Sequence, residues 1–248
     1  MTLKELLATY SQAYKENERY VHFKDDKMAE RHYSNYLDYK KMPSLEEIKK
    51  DLSYLQAEQK DYKRDYAMLF FAEKEDLTKS TVAYLEEEGF ILSKHIIFTN
   101  KLENLKLRRA DLKNILIEEL DKEWLPAYLD LKYHQNLEFG EDFAKLMFEF
   151  NKHNLPEKGS RIYIAREGNK LVGDVTAWYF DDYVEIDDFS VVKEYQGRGI
   201  GSALQLKASE GYNKLILVSK EINRKMYEHQ GYKEVAYYWT ALRSSRKS

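Results

Sequence analysis

Apolar positions follow two different rhythms along the chain, and the change of rhythm separates its halves. Leu3, Leu6, Leu7 and Tyr10 recur at helical spacing, so Leu3 to Tyr14 reads as an amphipathic helix. Tyr20 to Phe23 reads as a short strand, and Tyr33, Tyr36 and Tyr39, at i, i+3 and i+6, as one face of a helix, where stacking a substrate is one reading and covering core the commoner one. Ser44 followed three residues on by Glu47 has the spacing of a capping box, which predicts a helix from there to about Asp61. Tyr66 to Ala72 is a compact apolar strand. Leu77 to Glu88 is a helix ended by Gly89, and Phe90 to Thr99, rich in Ile and Phe, is a strand.

Asn100 to Leu105 reads as a boundary. Beyond it the pattern predicts a strand at Leu105 to Arg109, a helix from Asp111 to Leu131 broken near Pro126, and a helix from Glu141 to Asn154 with Phe143, Leu146, Met147 and Phe150 on one face. After a loop at Leu155 to Ser160 the rhythm becomes β. Strands at Arg161 to Arg166, Lys170 to Phe180 and Tyr183 to Val192, joined by short turns, form an antiparallel meander. A glycine loop follows, then a helix (Ile200 to Glu210), a strand (Leu215 to Ser219), a helix (Glu221 to Gln230) and a strand (Tyr232 to Leu242). The expected fold class is α/β of the α+β kind, with residues 1–100 as a smaller α/β domain and 101–248 as the main domain. Residues 44–98 and 199–242 echo each other, and Ala83 to Phe90 parallels Lys225 to Tyr232. A duplicated unit whose first copy lost its glycine loop explains the echo; so does chance, because helix–Gly–aromatic–strand is a common junction.

Composition narrows the chemistry. The 248 residues carry 40 basic and 43 acidic side chains, a net charge of −3, which lacks the basic excess of a nucleic-acid binder. The absence of cysteine excludes disulfides, thiolate zinc sites and thiol catalysis. His22, His32, His95, His134, His153 and His229 are scattered without HxH or HxxxH spacing, so no metal site is expected. Met1 to Tyr20 has no apolar signal core, and no apolar run is long enough to span a membrane, so a cytoplasmic location is expected. The first of the ten glycines is Gly89. A glycine-dependent phosphate loop must therefore lie in the second half.

That loop is Phe189-Ser190-Val191-Val192-Lys193-Glu194-Tyr195-Gln196-Gly197-Arg198-Gly199-Ile200-Gly201. A strand leads into glycines at alternate positions and then a helix, whose unpaired N–H groups and positive dipole end suit a pyrophosphate. The P-loop signature would need Gly-Lys-Ser/Thr, and the dinucleotide fingerprint a different glycine spacing; both fail. The stretch Gln196 to Gly201 fits the pattern Q/R-x-x-G-x-G/A, and Tyr227 stands four residues before Gly231-Tyr232. With these motifs the chain, over roughly Leu105 to Leu242, resembles the Gcn5-related N-acetyltransferase (GNAT) family. It departs at Lys220, where many members carry a cofactor-contacting Asn seven residues before the Tyr; Asn223 is nearer, as cofactor ligand or helix cap.

The resemblance implies a central mixed, largely antiparallel sheet flanked by helices, and acetyl-CoA as cosubstrate. It implies that Phe189, Ser190 and Val191 border the pantetheine arm, and that Gln196, Gly197, Arg198, Gly199, Ile200, Gly201 and Ser202 hold the phosphates. A CoA phosphate is one reading of Arg198 and plain exposure the other. Tyr227 is the implied general acid. Glu185 or Asp187, beside Asp188, is the candidate base, or else part of an acidic patch that attracts a cation. The acceptor is an amine on a small molecule or peptide, with a homodimer left open. Leu85 stands where Tyr227 stands in the second half, so the first half is expected to act as scaffold or as a wall of the acceptor site. A non-catalytic acyl-CoA sensor, or an interaction protein with a vestigial loop, is the alternative.

Overall fold

The computed structural model describes residues 2–7, 13–107 and 112–246. Its elements run α1 (Leu3–Leu7), β1 (Ala13–Glu16), β2 (Tyr20–Phe23), β3 (Tyr36–Tyr39), α2 (Leu45–Glu58), β4 (Arg64–Phe70), α3 (Lys79–Glu87), β5 (Ile91–Lys101), β6 (Ile115–Glu119), α4 (Leu125–Asn136), α5 (Glu141–Asn154), β7 (Ser160–Glu167), β8 (Lys170–Tyr179), β9 (Val184–Val191), α6 (Ile200–Ala208), β10 (Lys214–Lys220), α7 (Arg224–His229) and β11 (Lys233–Arg246). None of the described helices is long and apolar enough to cross a membrane.

Two compact units share these elements. One comprises Met1–Ile97, Ser219–Asn223 and Glu234–Ser248; the other comprises Phe98–Val218 and Arg224–Lys233. They differ from consecutive stretches cut at residue 100. The end of the chain lies in the first unit, because β11 pairs antiparallel with β4 from Thr240↔Phe70 to Arg246↔Arg64. The end of β5 lies in the second, where Thr99 Oγ1 donates to the Leu215 carbonyl at 2.7 Å. The first unit thus takes in β11, the strand that follows the second unit's helix–Gly–aromatic junction.

In the first unit the strand order is β1-β2-β3-β4-β11-β5, with β3 and β4 parallel. Helix α2 begins as its sequence predicts: Ser44 accepts from the Glu47 N–H, and the Glu47 carboxylate accepts from the Ser44 N–H at 2.8 Å. Helix α3 ends at Gly89, whose φ of +80° an L-residue rarely adopts. The buried faces of these helices and of the sheet meet in a core of Leu37, Tyr39, Ile48, Leu55, Leu69, Phe71 and Leu85. Two expectations fail here. Tyr36 and Tyr39 lie on strand β3, not on a helix, because residues 36–39 are paired with β2 across Phe23↔Tyr36 and Tyr20↔Tyr39. Leu3–Leu7 is helix as expected, but Ala13–Glu16 is strand; residues 8–12 of the expected helix lie outside the described ones.

In the second unit the order is β10-β9-β8-β7-β6, antiparallel except for β9 and β10. The meander lies where the sequence predicts it. The helix expected over Asp111 to Leu131 is instead a strand followed by a helix. Ile115 and Ile117, β-branched, extend along β7 as β6, and Asp121 Oδ1 accepts the Glu123 and Trp124 N–H groups just before α4 begins, with Pro126 in its first turn. Of the strand expected at Leu105 to Arg109, residues 105–107 are irregular and the remainder lies outside the described residues. Tyr128, Ile162, Ile164 and Leu171 form the core beneath α4.

Candidate functional site

Strand β9 carries one residue more than its partner. The pairs Trp178↔Glu185, Thr176↔Asp187, Asp174↔Ser190 and Gly173↔Val191 advance two residues on β8 while β9 advances three, between Thr176 and Asp174. Asp188 takes up the slack with a φ of +40°. The extra residue inverts the alternation of side chains. Glu185, Asp187 and Ser190 share one face, whereas Phe189 and Val191 turn to the other, against α6. On that face a Cβ built on Gly201 would meet Phe189 Cζ at 2.8 Å, and one on Gly173 would meet Leu204 Cδ1 at 3.3 Å and Val191 Cγ2 at 3.4 Å.

The parallel pairing of β9 with β10 runs from Leu215↔Val184 to Leu217↔Ile186 and goes no further, although β9 continues to Val191 and β10 to Lys220. The two strands therefore part where β9 bulges. The loop beyond turns through Gly197 and Gly199, at φ of +76° and +85°, and Gly199 is the N-cap of α6 with no capping side chain. The first N–H groups of α6, at Ile200, Gly201 and Ser202, have no acceptor within the helix. Gln196 Nε2 donates to the Val191 carbonyl at 3.0 Å, tying the loop back to the strand. Arg198 lies 3.5 Å from Glu167 and over the Tyr195 ring, whose hydroxyl donates to Glu167 at 2.7 Å.

Tyr227 on α7 is 9% exposed and packs against Phe98, centroids 5.4 Å apart, and edge-on against Tyr232 at 5.7 Å. The Tyr232 hydroxyl donates to Gln205 on α6 at 2.6 Å. Glu185 is 4% exposed, and its Oε2 has no hydrogen-bond partner among the described residues. Burial, with the neighbouring Asp187 carboxylate, pushes its pKa up to about 9, so it holds a proton at neutral pH. Asp187 is exposed on the same strand face. Asn223 lies in the other unit, where its Nδ2 donates to Ser219 Oγ at 3.0 Å, and Lys220 ends β10.

Sequence reasoning missed a buried cluster on the Glu185 face. Lys132 of α4 lies 2.8 Å from both Asp174 and Asp188, and the Ser190 hydroxyl donates to Asp174. Tyr128 donates to Asp174 at 3.2 Å and Gln135 to Ser190 at 3.1 Å. A signal was present: Asp174 interrupts an apolar strand, and Lys132 shares a helix face with Tyr128.

The first unit has a parallel pair too, β3 with β4, matched at Leu37↔Leu69 and Asp38↔Phe70. Just past that ladder the buried Lys4 ammonium donates to Asp38, to the Tyr39 carbonyl at 3.3 Å and to the Phe71 carbonyl at 2.7 Å. Its three protons are used across the ends of both strands, where the second unit's strands lie apart.

Residues 158–234 match the family described as acetyltransferase (GNAT) domain, and residues 2–97 match a domain of unknown function, DUF5613. The match to the GNAT domain thus falls within the second half, and the mixed α/β architecture is GNAT-like. A functionally unknown conserved protein from Staphylococcus epidermidis ATCC 12228 is similar in structure, with a TM-score of 0.86 at 21% identity, covering 98% of this chain and 97% of that one. A GCN5-related N-acetyltransferase from Kribbella flavida gives a TM-score of 0.63 at 12% identity, covering 99% and 93%. A tandem GNAT protein from the clavulanic acid biosynthesis pathway gives 0.50 at 13%, covering 79% and 69%, and a tandem arrangement is consistent with the two units found here. No curated protein matches the sequence.

Proposed function

We propose that the second unit is an acetyl-CoA-dependent N-acetyltransferase that transfers the acetyl group to a primary amine of a small molecule or peptide by direct attack. The observation that carries this reading is the parting of β9 from β10 beside the loop Gln196 to Gly201. An open strand edge suits the amides of a pantetheine arm, and the uncapped first turn of α6 suits a pyrophosphate. The residues present fit that ligand, since Gly199 and Gly201 keep side chains away from the turn. Phe189, Ser190 and Val191 would line the arm. Gln196 to Ser202 would hold the phosphates through main-chain N–H groups, leaving Arg198 to exchange Glu167 for a phosphate. Asn223, engaged with Ser219, is not needed for this.

Bound acetyl-CoA supplies the thioester, whose carbonyl carbon the amine attacks, forming a C–N bond as the C–S bond breaks. Tyr227 gives its phenolic proton to the departing sulfur and recovers one from solvent. Once ionised, the Glu185 carboxylate takes the proton of the amine, through water. Its raised proton affinity suits that task. An ordinary carboxylate would accept from an ammonium at a cost of roughly 8 kcal/mol, whereas a group near 9 is almost matched to it. Asp187 raises that affinity further and offers charge to an incoming cation. The first unit serves as scaffold: it has no glycine loop, Lys4 bridges its parallel strands, and Leu85 is buried in its core.

Calorimetric titration of the full chain with acetyl-CoA, followed by an amine screen monitored by free-thiol release, tests the reading. One binding site and amine-dependent thiol release are expected. Binding without turnover on any amine would leave a sensor. No binding to folded protein would remove the cosubstrate altogether.

A further inference from the structure

The one left-handed residue of β9 is held by a buried cation from another element. Lys132 reaches from α4 with its ammonium 2.8 Å from Asp174 on β8 and 2.8 Å from Asp188 on β9. Lys132 is 7% exposed and Asp174 is wholly buried. Burial pulls the Lys132 pKa down, but the two carboxylates outweigh it and the net shift is upward. Burial pushes Asp174 the other way, opposed by Lys132 and by the donating Ser190 hydroxyl. A left-handed conformation is strained for a residue with a Cβ and persists where the surroundings hold it. Here Asp188 sits at φ +40° with its carboxylate on Lys132.

We propose that Lys132 is a positioning residue for the cosubstrate: by clamping Asp188 to Asp174 it holds the extra residue of β9 in place. This rests on the acetyl-CoA reading above. The clamp decides which way the following main chain faces. With the extra residue, Phe189 packs on Gly201, Ser190 bonds Asp174, and the Val191 carbonyl receives Gln196. Without it, alternation would turn Phe189 and Val191 to the Glu185 face and Ser190 towards α6. The strand edge offered to pantetheine would then change, although Lys132 touches no reacting atom.

The test is calorimetric affinity for acetyl-CoA, with unfolding temperature measured alongside. Lys132→Met is expected to weaken binding about tenfold or more, because two carboxylates lose their shared cation. Lys132→Arg is expected to stay close to wild type. Adding Asp188→Gly to Lys132→Met removes one charge while permitting the left-handed turn, and most of the affinity is expected to return. Should Lys132→Met fail to fold, Asp188→Val leaves the Lys132–Asp174 pair intact and opposes positive φ; it too is expected to lose about tenfold. Folded Lys132→Met with wild-type affinity would overturn the inference, as would wild-type affinity in Asp188→Val. A wild type that does not bind acetyl-CoA would fail earlier, removing the reading on which the inference stands.

Discussion

A methyl group built on Gly201 would lie 2.8 Å from the Cζ of Phe189, so the first turn of α6 and the end of β9 approach as closely as their atoms allow. Gly201→Ala is therefore expected to push the ring aside and weaken acetyl-CoA binding by about tenfold. Phe189→Leu in the same chain should recover part of the loss. Calorimetry on the three variants checks this, and equal affinity in Gly201→Ala would mean that the ring can turn away without consequence.

Tyr227→Phe keeps the ring contacts with Phe98 and Tyr232 and removes only the hydroxyl. Acetyl-CoA affinity should hold while kcat falls about a hundredfold, within the usual range for a lost general acid. Steady-state kinetics with a responsive amine separates the two parameters. An unchanged kcat would return Tyr227 to a packing role.

Glu185 links rate and stability to pH. A base must be ionised, so kcat/KM is expected to rise with pH and level off above about 9. Glu185→Gln should lower the rate and flatten that rise. Stability runs the opposite way. The folded pKa is raised above the ordinary 4.5, so the folded protein keeps a proton that the unfolded chain releases, and stability is lost as pH climbs from about 4.5 towards about 9. Glu185→Gln, always neutral, should melt higher than wild type at pH 8 and no higher near pH 4.

Histidines of the first unit act at the acid end. Burial lowers the pKa of His22 and of His95 from 6.5 to about 4. The unfolded chain binds protons that the folded one refuses, so stability is complete above about 6.5 and is lost as pH falls towards about 4. Denaturant unfolding between pH 7 and 4 should show the decline, reduced in His95→Gln. An unchanged slope in that variant would locate the acid sensitivity elsewhere.

Ending the chain at Lys233 removes β11 and leaves β4 without its antiparallel partner from Arg64 to Phe70. The first unit is expected to lose its cooperative unfolding transition and its amide-exchange protection. A fragment starting at residue 101 keeps β11 but not β4, and should show exchange in β11 as fast as in unstructured chain. Full protection of β11 in that fragment would mean that the strand has another partner.

Much of the fold was legible because its signals are local. The capping box at Ser44, Gly89 closing α3, the meander from Ser160 to Val191 and the glycine turn before α6 each depend on a few neighbouring residues. The helix expected over Asp111 to Leu131 failed for a related reason. Ile115 to Glu119 has an apolar content that suits either element, and only pairing with β7 selects the strand. Tyr36 and Tyr39 misled in the same way, since their spacing fits a helix but their partners lie on β2.

By itself the sequence determined the loop Gln196 to Gly201, the helix that begins there and the acidic stretch Glu185 to Asp188, while Tyr227 became the candidate acid through the family resemblance. Spacing and backbone chemistry within a short window were sufficient for these. Only the tertiary structure decided that β11 completes the first unit, that Lys4 closes that unit's parallel strands, and that Lys132 meets Asp174 and Asp188. It also decided that Glu185 is protonated at neutral pH. Burial and the meeting of distant charges depend on which elements lie side by side, and no short window of sequence carries that.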